Sequence, residues 1–174
     1  MSIPTHWFVA SDPDVYERFM ARWSARLADP FLAFAGIRTG QRVLDVGCGT
    51  GTITLALAER GCSVVGTDAS ESYLEGARRR RSHVAIIYEL GDAQNLAYPS
   101  GSFDACVSTL AIDVVPEPKK FAAEMRRVTR PGGIVACGTF DFWGGFSAAE
   151  HINEIGATLD EDMRVIQTIV ALGR

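Results

Sequence analysis

The stretch Val43-Leu44-Asp45-Val46-Gly47-Cys48-Gly49-Thr50-Gly51 decides how this chain folds. Four residues of strand character run directly into three alternating glycines, and an apolar helical pattern begins at once. That is the front edge of a βαβ nucleotide site. Gly47 and Gly49 let the backbone turn sharply and approach a ligand with no Cβ in the way. Gly51 lets the incoming helix pack close to the strand. A dinucleotide fingerprint has the order G-x-G-x-x-G/A, but here the third glycine arrives one residue early and Thr52 stands at the dinucleotide position. Asp45 would repel a pyrophosphate and could accept from an ammonium group. The implied ligand is nucleoside-like with a cationic end.

Outward from that turn, strands and helices alternate. The expected strands are 42–46, 63–67, 85–90, 105–108 and 134–139. Gly61 stands where a left-handed helix cap belongs, and Ser70 is a good N-cap for the next helix. A further helix is expected through Val128, stopped by Pro131-Gly132. Upstream, Val15, Phe19, Trp23 and Leu27 recur every four residues, so 14–35 should be helical, with an interruption at Pro30. This cadence predicts a doubly wound α/β fold, a mostly parallel sheet with helices on both faces. Ligands in such sheets bind beyond the carboxyl ends of the strands. Gly47, Asp68, Asp92 and Ser108-Thr109 all fall at strand ends.

The sequence has 174 residues, which is one domain's length, with 47% hydrophobic and 22% charged residues. The net charge of -4 offers no global basic field for nucleic acid. Arg78 to Arg81 is read as a solvated helix end. Cys48, Cys62, Cys106 and Cys137 form no C-x-x-C pair and fit a reducing compartment. The N-terminus lacks a secretory pattern, and no apolar run approaches the roughly 18 residues of a membrane span. A cytoplasmic location is expected. His6, His83 and His151 show no metal-ligand spacing, so no metal is expected.

D-V-G-C-G-T-G resembles motif I of the class I S-adenosylmethionine-dependent methyltransferases. Later stretches resemble the same family in order: Val64-Val65-Gly66-Thr67-Asp68, Gly91-Asp92-Ala93, Phe103-Asp104-Ala105-Cys106-Val107-Ser108 and Arg130-Pro131-Gly132-Gly133. The likeness is greatest to the quinone-biosynthesis subgroup, the methyltransferase type 11 domain, and covers roughly 14–142. It implies a Rossmann-like sheet of order 3-2-1-4-5 and binding of S-adenosylmethionine, with S-adenosylhomocysteine as product. It also implies a division into an N-terminal helical lid (1–35), a cofactor-binding core (36–145) and a C-terminal helical segment (146–174). Strands six and seven of the family have no room in the last segment and are expected to be missing.

The resemblance implies roles residue by residue. Gly47, Cys48, Gly49 and Gly51 form the cofactor turn. Asp45 accepts from the ligand ammonium, or else fixes the glycine loop by bonding its N–H groups. Asp68 holds the ribose hydroxyls, or is only a turn acid. Ala69 lies against the adenine. Asp92 and the Ala93 N–H meet the adenine amino group, or Asp92 is a plain turn residue. Thr109, at the end of strand four, is a further cofactor-binding candidate. Tyr16, Met20 and Arg22 lie on the helix that covers the cofactor, where Arg22 either pairs with the methionine carboxylate or is a surface arginine. Asp113 either orients an acceptor or caps a helix. Trp7, Phe140, Phe142, Trp143 and Phe146 are core, or line an apolar acceptor pocket. Asp141 with His151 or Asn153 is too little for metal-assisted chemistry. No catalytic residue is assigned, since displacement at a sulfonium needs positioning more than a dedicated base.

The function expected is methyl transfer to a small-molecule acceptor. The alternatives are a nicotinamide-dependent oxidoreductase, a tRNA-modifying methyltransferase and a non-catalytic cofactor-binding or interaction module. Oligomeric state is left open.

Overall fold

A computed structural model describes residues 22–80 and 85–139. In chain order the elements are α1 (Arg22–Phe34), β1 (Arg42–Val46), α2 (Thr52–Glu59), β2 (Ser63–Asp68), α3 (Glu71–Arg79), β3 (Ile87–Leu90), β4 (Phe103–Thr109), a 3₁₀ turn (Ile112–Val114), α4 (Pro118–Val128) and β5 (Thr129–Gly138). The five strands form one sheet of order β3-β2-β1-β4-β5, with every pairing parallel. The expected topology is the observed one.

Alternation along the strands builds two cores, one on each face. Val43, Val64, Ala105 and Val107 face a cluster with Ala28, Phe31 and Leu32 of α1 and Ile53, Leu57 and Ala58 of α2. Leu44, Val46, Val65 and Cys106 face a second cluster with Phe121, Met125 and Val128 of α4. Strands buried on both faces give the near-continuous apolar runs that made them readable. α2 ends in a Schellman arrangement, with Cys62 N donating to Leu57 O and Gly61 N to Ala58 O, and Gly61 at φ +80°. Ser70 Oγ accepts from Tyr73 N and caps α3.

Three local expectations are corrected. Pro30 does not interrupt its helix but lies inside α1. It is exposed, so the backbone carbonyl that its missing N–H leaves without a donor can bond water. The fifth strand does not begin at Ile134: Thr129 already pairs with Phe103, and a register shift absorbs Arg130 to Gly133. Arg130 Nε donates to Asp104 Oδ1 at 2.7 Å across this irregularity. α4 accordingly ends at Val128, before Pro131. The third strand is shorter than expected, starting at Ile87 rather than Ala85. The expectations for 1–21, 81–84 and 140–174 lie outside the described residues, and with them the lid's first half, the C-terminal helical segment, strands six and seven, all three histidines, and the aromatic group on the acceptor side.

Candidate cofactor site

The glycine turn leaves β1 at the carboxyl edge of the sheet. Gly47, Gly49 and Gly51 have φ of +71°, +53° and +84°, values that L-residues adopt at a cost of about 1–2 kcal/mol each. Neighbours hold the shape from outside. The N–H groups of Gly47 and Cys48 both donate to Thr67 O, at 2.8 and 3.0 Å. Gly49 N donates to Asp68 Oδ2 at 2.8 Å. Asp68 Oδ1 accepts from Ser70 N at 2.9 Å, so one carboxylate ties the turn to the start of α3. Burial raises the Asp68 pKa, while the backbone bonds from Ser70 and Gly49 pull it down.

Asp45 behaves differently from Asp68. It is 1% exposed, on the β1 face toward α2, and its Oδ2 accepts from Thr54 Oγ1 at 2.6 Å. Burial pushes its carboxyl up to about 7, helped by the nearby Asp68 charge and opposed by the Thr54 bond. The loop N–H that an acid holds is Gly49's, and Asp68 holds it. Cys48 is buried, and burial raises its thiol pKa.

Gly51 makes room for its neighbours across the turn. A Cβ there would overlap the Tyr88 hydroxyl from β3 and lie 3.3 Å from Ala77 of α3. Tyr88 Oη is itself buried with no hydrogen-bond partner among the described residues. Burial lifts its pKa to about 12.

A shallow open recess faces the turn, lined by Ser24, Gly47, Cys48, Thr50, Thr52, Ile53 and Thr109. Beyond Thr109, Leu110 sits at φ +58°, and its N–H donates to Gly138 O at 2.7 Å. That left-handed residue turns the chain off β4, and Ala111 then closes over Gly47, where a Cβ would overlap it. On the other side, Gly91 N donates to Asp68 O at 2.9 Å and brings the Asp92 turn beside Asp68. Asp92 is exposed, and its Oδ1 accepts from Gln94 N at 2.8 Å. Ala93 is half-buried against the Leu44 cluster, and Ala69 is exposed just after Asp68. Asp113 caps no helix among the described residues; its Oδ2 accepts from the Thr139 hydroxyl at the end of β5.

Gly47, Cys48, Gly49, Gly51, Asp68, Ala69, Asp92, Ala93 and Thr109 thus lie on one edge of the sheet. Asp45 lies beneath it and is not part of the recess lining. Tyr16 and Met20 fall outside the described residues. Arg22 opens α1, and only its backbone is described.

A family model for a methyltransferase domain matches residues 44–137. The chain belongs to the class I S-adenosylmethionine-dependent methyltransferases. It is 41% identical over 119 residues to a demethylmenaquinone methyltransferase of Renibacterium salmoninarum, covering 68% of this chain and 48% of that protein. Among solved structures it resembles an S-adenosylmethionine-dependent methyltransferase from Mesorhizobium loti (31% identity, TM-score 0.56, covering 70% of this chain and 55% of that one). It also resembles the [4+2]-cyclase SpnF (32% identity, TM-score 0.59, covering 66% and 44%). The chain spans about half the length of the curated relatives it matches.

The residues of this methyltransferase domain fit the family's cofactor, S-adenosylmethionine. A bare glycine backbone and four hydroxyl side chains line the recess. Each Asp68 oxygen accepts one backbone N–H, and a carboxylate offers about four acceptor positions in all. The Ala69 N–H takes a further share, so acceptor capacity for a ribose hydroxyl remains. The nicotinamide alternative loses its footing with the family match.

Sequence reasoning missed Arg80. Read as part of a solvated basic run, it instead reaches the glycine turn: its Nη1 donates to Thr50 O at 3.2 Å and to Thr52 Oγ1 at 2.8 Å. Thr54, the partner of Asp45, and Tyr88, beneath Gly51, were also missed. Thr54 is on the inward face of an apolar helix, and its helical spacing was the only available signal. Arg80 and Tyr88 carry none, because their contacts exist only once α3 and β3 are placed.

Proposed function

We propose that this chain transfers a methyl group from S-adenosylmethionine to a small-molecule acceptor, in the cytoplasm. The observation that carries this reading is Asp68 bound to Gly49 N–H at the carboxyl edge of a 3-2-1-4-5 sheet. Bound S-adenosylmethionine supplies an electrophilic methyl on a sulfonium. The protein's task is to hold donor and acceptor in line and to exclude water, an effect of roughly 7–11 kcal/mol at best. In this reading Asp68 takes the ribose, Asp92 and Ala93 N–H the adenine, and the recess at Thr52 and Thr109 the amino-acid end.

The acceptor class is drawn from the relatives. Their name specifies demethylmenaquinone, which makes hydroxylated aromatic acceptors the first to assay. The cytoplasmic location is supported by four free cysteines. No helix among the described residues is long and apolar enough to cross a membrane.

Residues N-terminal to Ala28 are proposed to close over the bound cofactor. Ala28, Phe31 and Leu32 belong to the core and form the fixed end of that lid. Amide exchange with and without S-adenosylhomocysteine should show protection rising in 14–27; equal protection in both states removes the lid.

The SpnF likeness makes turnover the deciding test of function. S-Adenosylhomocysteine formation should rise above the acceptor-free rate with at least one member of a panel of quinols, phenols, carboxylates and amines. Tight cofactor binding with no turnover on any of them would make this a binding module.

A further inference from the structure

The hydrogen bonds around Thr52 run in one direction. Arg80 ends α3 with an extended backbone (φ -74°, ψ 127°), and its guanidinium lies 2.8 Å from Thr52 Oγ1. A guanidinium has donors only. The Thr52 oxygen therefore accepts from Arg80, and its own proton must point elsewhere. Thr52 lines the recess beside Ser24, Thr50 and Thr109. Among the described residues Arg80 is its side-chain hydrogen-bond partner.

The second Arg80 bond sharpens this arrangement. By taking Thr50 O, it turns that carbonyl toward the guanidinium. Across the same trans peptide, Gly51 N–H points the opposite way, to Cys48 O at 2.9 Å. A carbonyl so engaged is less able to face an anion in the recess. Thr52 is also the first residue of α2, whose N-terminus has no side-chain cap. A hydroxyl proton, a helix start and a guanidinium behind both favour negative charge at one place. The negative group that S-adenosylmethionine carries is the carboxylate of its amino-acid end.

We propose that Arg80 is a positioning residue that holds the Thr52 hydroxyl as a hydrogen-bond donor to the cofactor carboxylate. The inference rests on the recess being the S-adenosylmethionine site. Arg80 does not touch the ligand; it sets the rotor of the residue that does. Its effect is therefore specific to ligands that carry the carboxylate.

Two ligands separate the cases by calorimetry: S-adenosylhomocysteine, and 5′-deoxy-5′-(3-aminopropylthio)adenosine, which lacks only the carboxylate. Thr52→Val should lower affinity for S-adenosylhomocysteine about tenfold, the scale of one hydrogen bond to a charged group. It should leave the decarboxylated ligand within twofold, and Thr52→Ser should restore wild-type binding. Arg80→Met should reproduce Thr52→Val, and the double variant should be no worse than either alone. Equal losses for both ligands would make the Arg80–Thr52 pair a scaffold of the turn and overturn the inference, as would no loss at all. Should Arg80→Met fail to fold, the near-isosteric Thr52→Val still decides. Wild-type protein that binds neither ligand would overturn the cofactor reading itself. Wild type that binds both while Thr52→Val does not discriminate overturns this inference alone.

Discussion

Asp68→Ala is the substitution that weighs ligand binding against local structure most directly. The carboxylate accepts from Gly49 N at 2.8 Å and from Ser70 N at 2.9 Å, with a further backbone contribution from Ala69, and still has acceptor capacity for a ribose hydroxyl. Losing the charge-assisted bonds to ribose should weaken S-adenosylhomocysteine binding by ~1–3 kcal/mol, about 5- to 150-fold. The fold should survive. Deleting the carboxylate strands two N–H groups at a partly exposed edge, but it also removes an acid whose pKa burial raises. These two effects oppose each other. Asp68→Asn is the sharper control. Its single carbonyl oxygen can serve Gly49 or Ser70, while its amide group then meets the other N–H, donor against donor. Asn should bind no better than Ala despite its shape. Calorimetry with S-adenosylhomocysteine, with a melting curve for each variant, measures both effects. A folded Asp68→Ala protein that keeps affinity within twofold of wild type would reduce Asp68 to a turn residue.

Three other outcomes are expected. Asp45, pushed up to about 7 by burial, holds a proton in the fold that the unfolded chain releases in the ordinary carboxyl range; between those two values the native state binds more protons, so stability falls as pH rises and levels off above about 7. Asp45→Asn should remove that slope, gaining on wild type in urea midpoint between pH 5 and pH 8; a constant difference refutes the buried-acid account. Gly51→Ala should destabilise by at least the ~1–2 kcal/mol of a left-handed L-residue, whereas Tyr88→Phe, which deletes a buried hydroxyl without a partner, should leave the melting temperature unchanged or raise it, and the double variant should recover part of the Gly51→Ala loss. Phe121→Ala, at a fully buried site of the α4 core, should cost about 3–5 kcal/mol in denaturant unfolding.

The fold was legible because the three central strands, β1, β2 and β4, are buried on both faces of the parallel sheet. Val43, Leu44 and Val46 are fully buried, so their run carries a strand signal that needs no partner to interpret. The glycine turn was legible for the converse reason: a chain that must take positive φ three times in five residues has little choice of residue. What stayed hidden depended on neighbours remote in sequence. Pro30 is tolerated within α1 because its side of the helix faces solvent. β5 begins early because Thr129 finds Phe103, and the close approach that follows needs Gly133, where a Cβ would lie 2.6 Å from Asp104 O. Asp68 could be placed at the site but not joined to Gly49, since 19 residues separate them.

The same separation explains how a turn so poor in side chains keeps its shape. Of the groups that hold it, Thr67 O takes two N–H groups and Arg80 takes a carbonyl, and neither faces a ligand in the proposed pose. In that pose Asp68 alone does both jobs, bonding Gly49 and accepting from the ribose. A ligand that draws on Asp68 therefore draws on one of the tethers of its own cradle. The turn can bear that load only if the other tethers suffice without it. Thr67 belongs to β2, which is paired along its length with β1, the strand that delivers the turn. Arg80 comes from a different element and fixes the far end, where α2 begins. Holding both ends by groups that the proposed ligand does not recruit should keep the turn close to one conformation, and amide exchange of Gly47 to Gly51 with and without S-adenosylhomocysteine measures how close. Most of its ordering entropy is then met during folding rather than on binding.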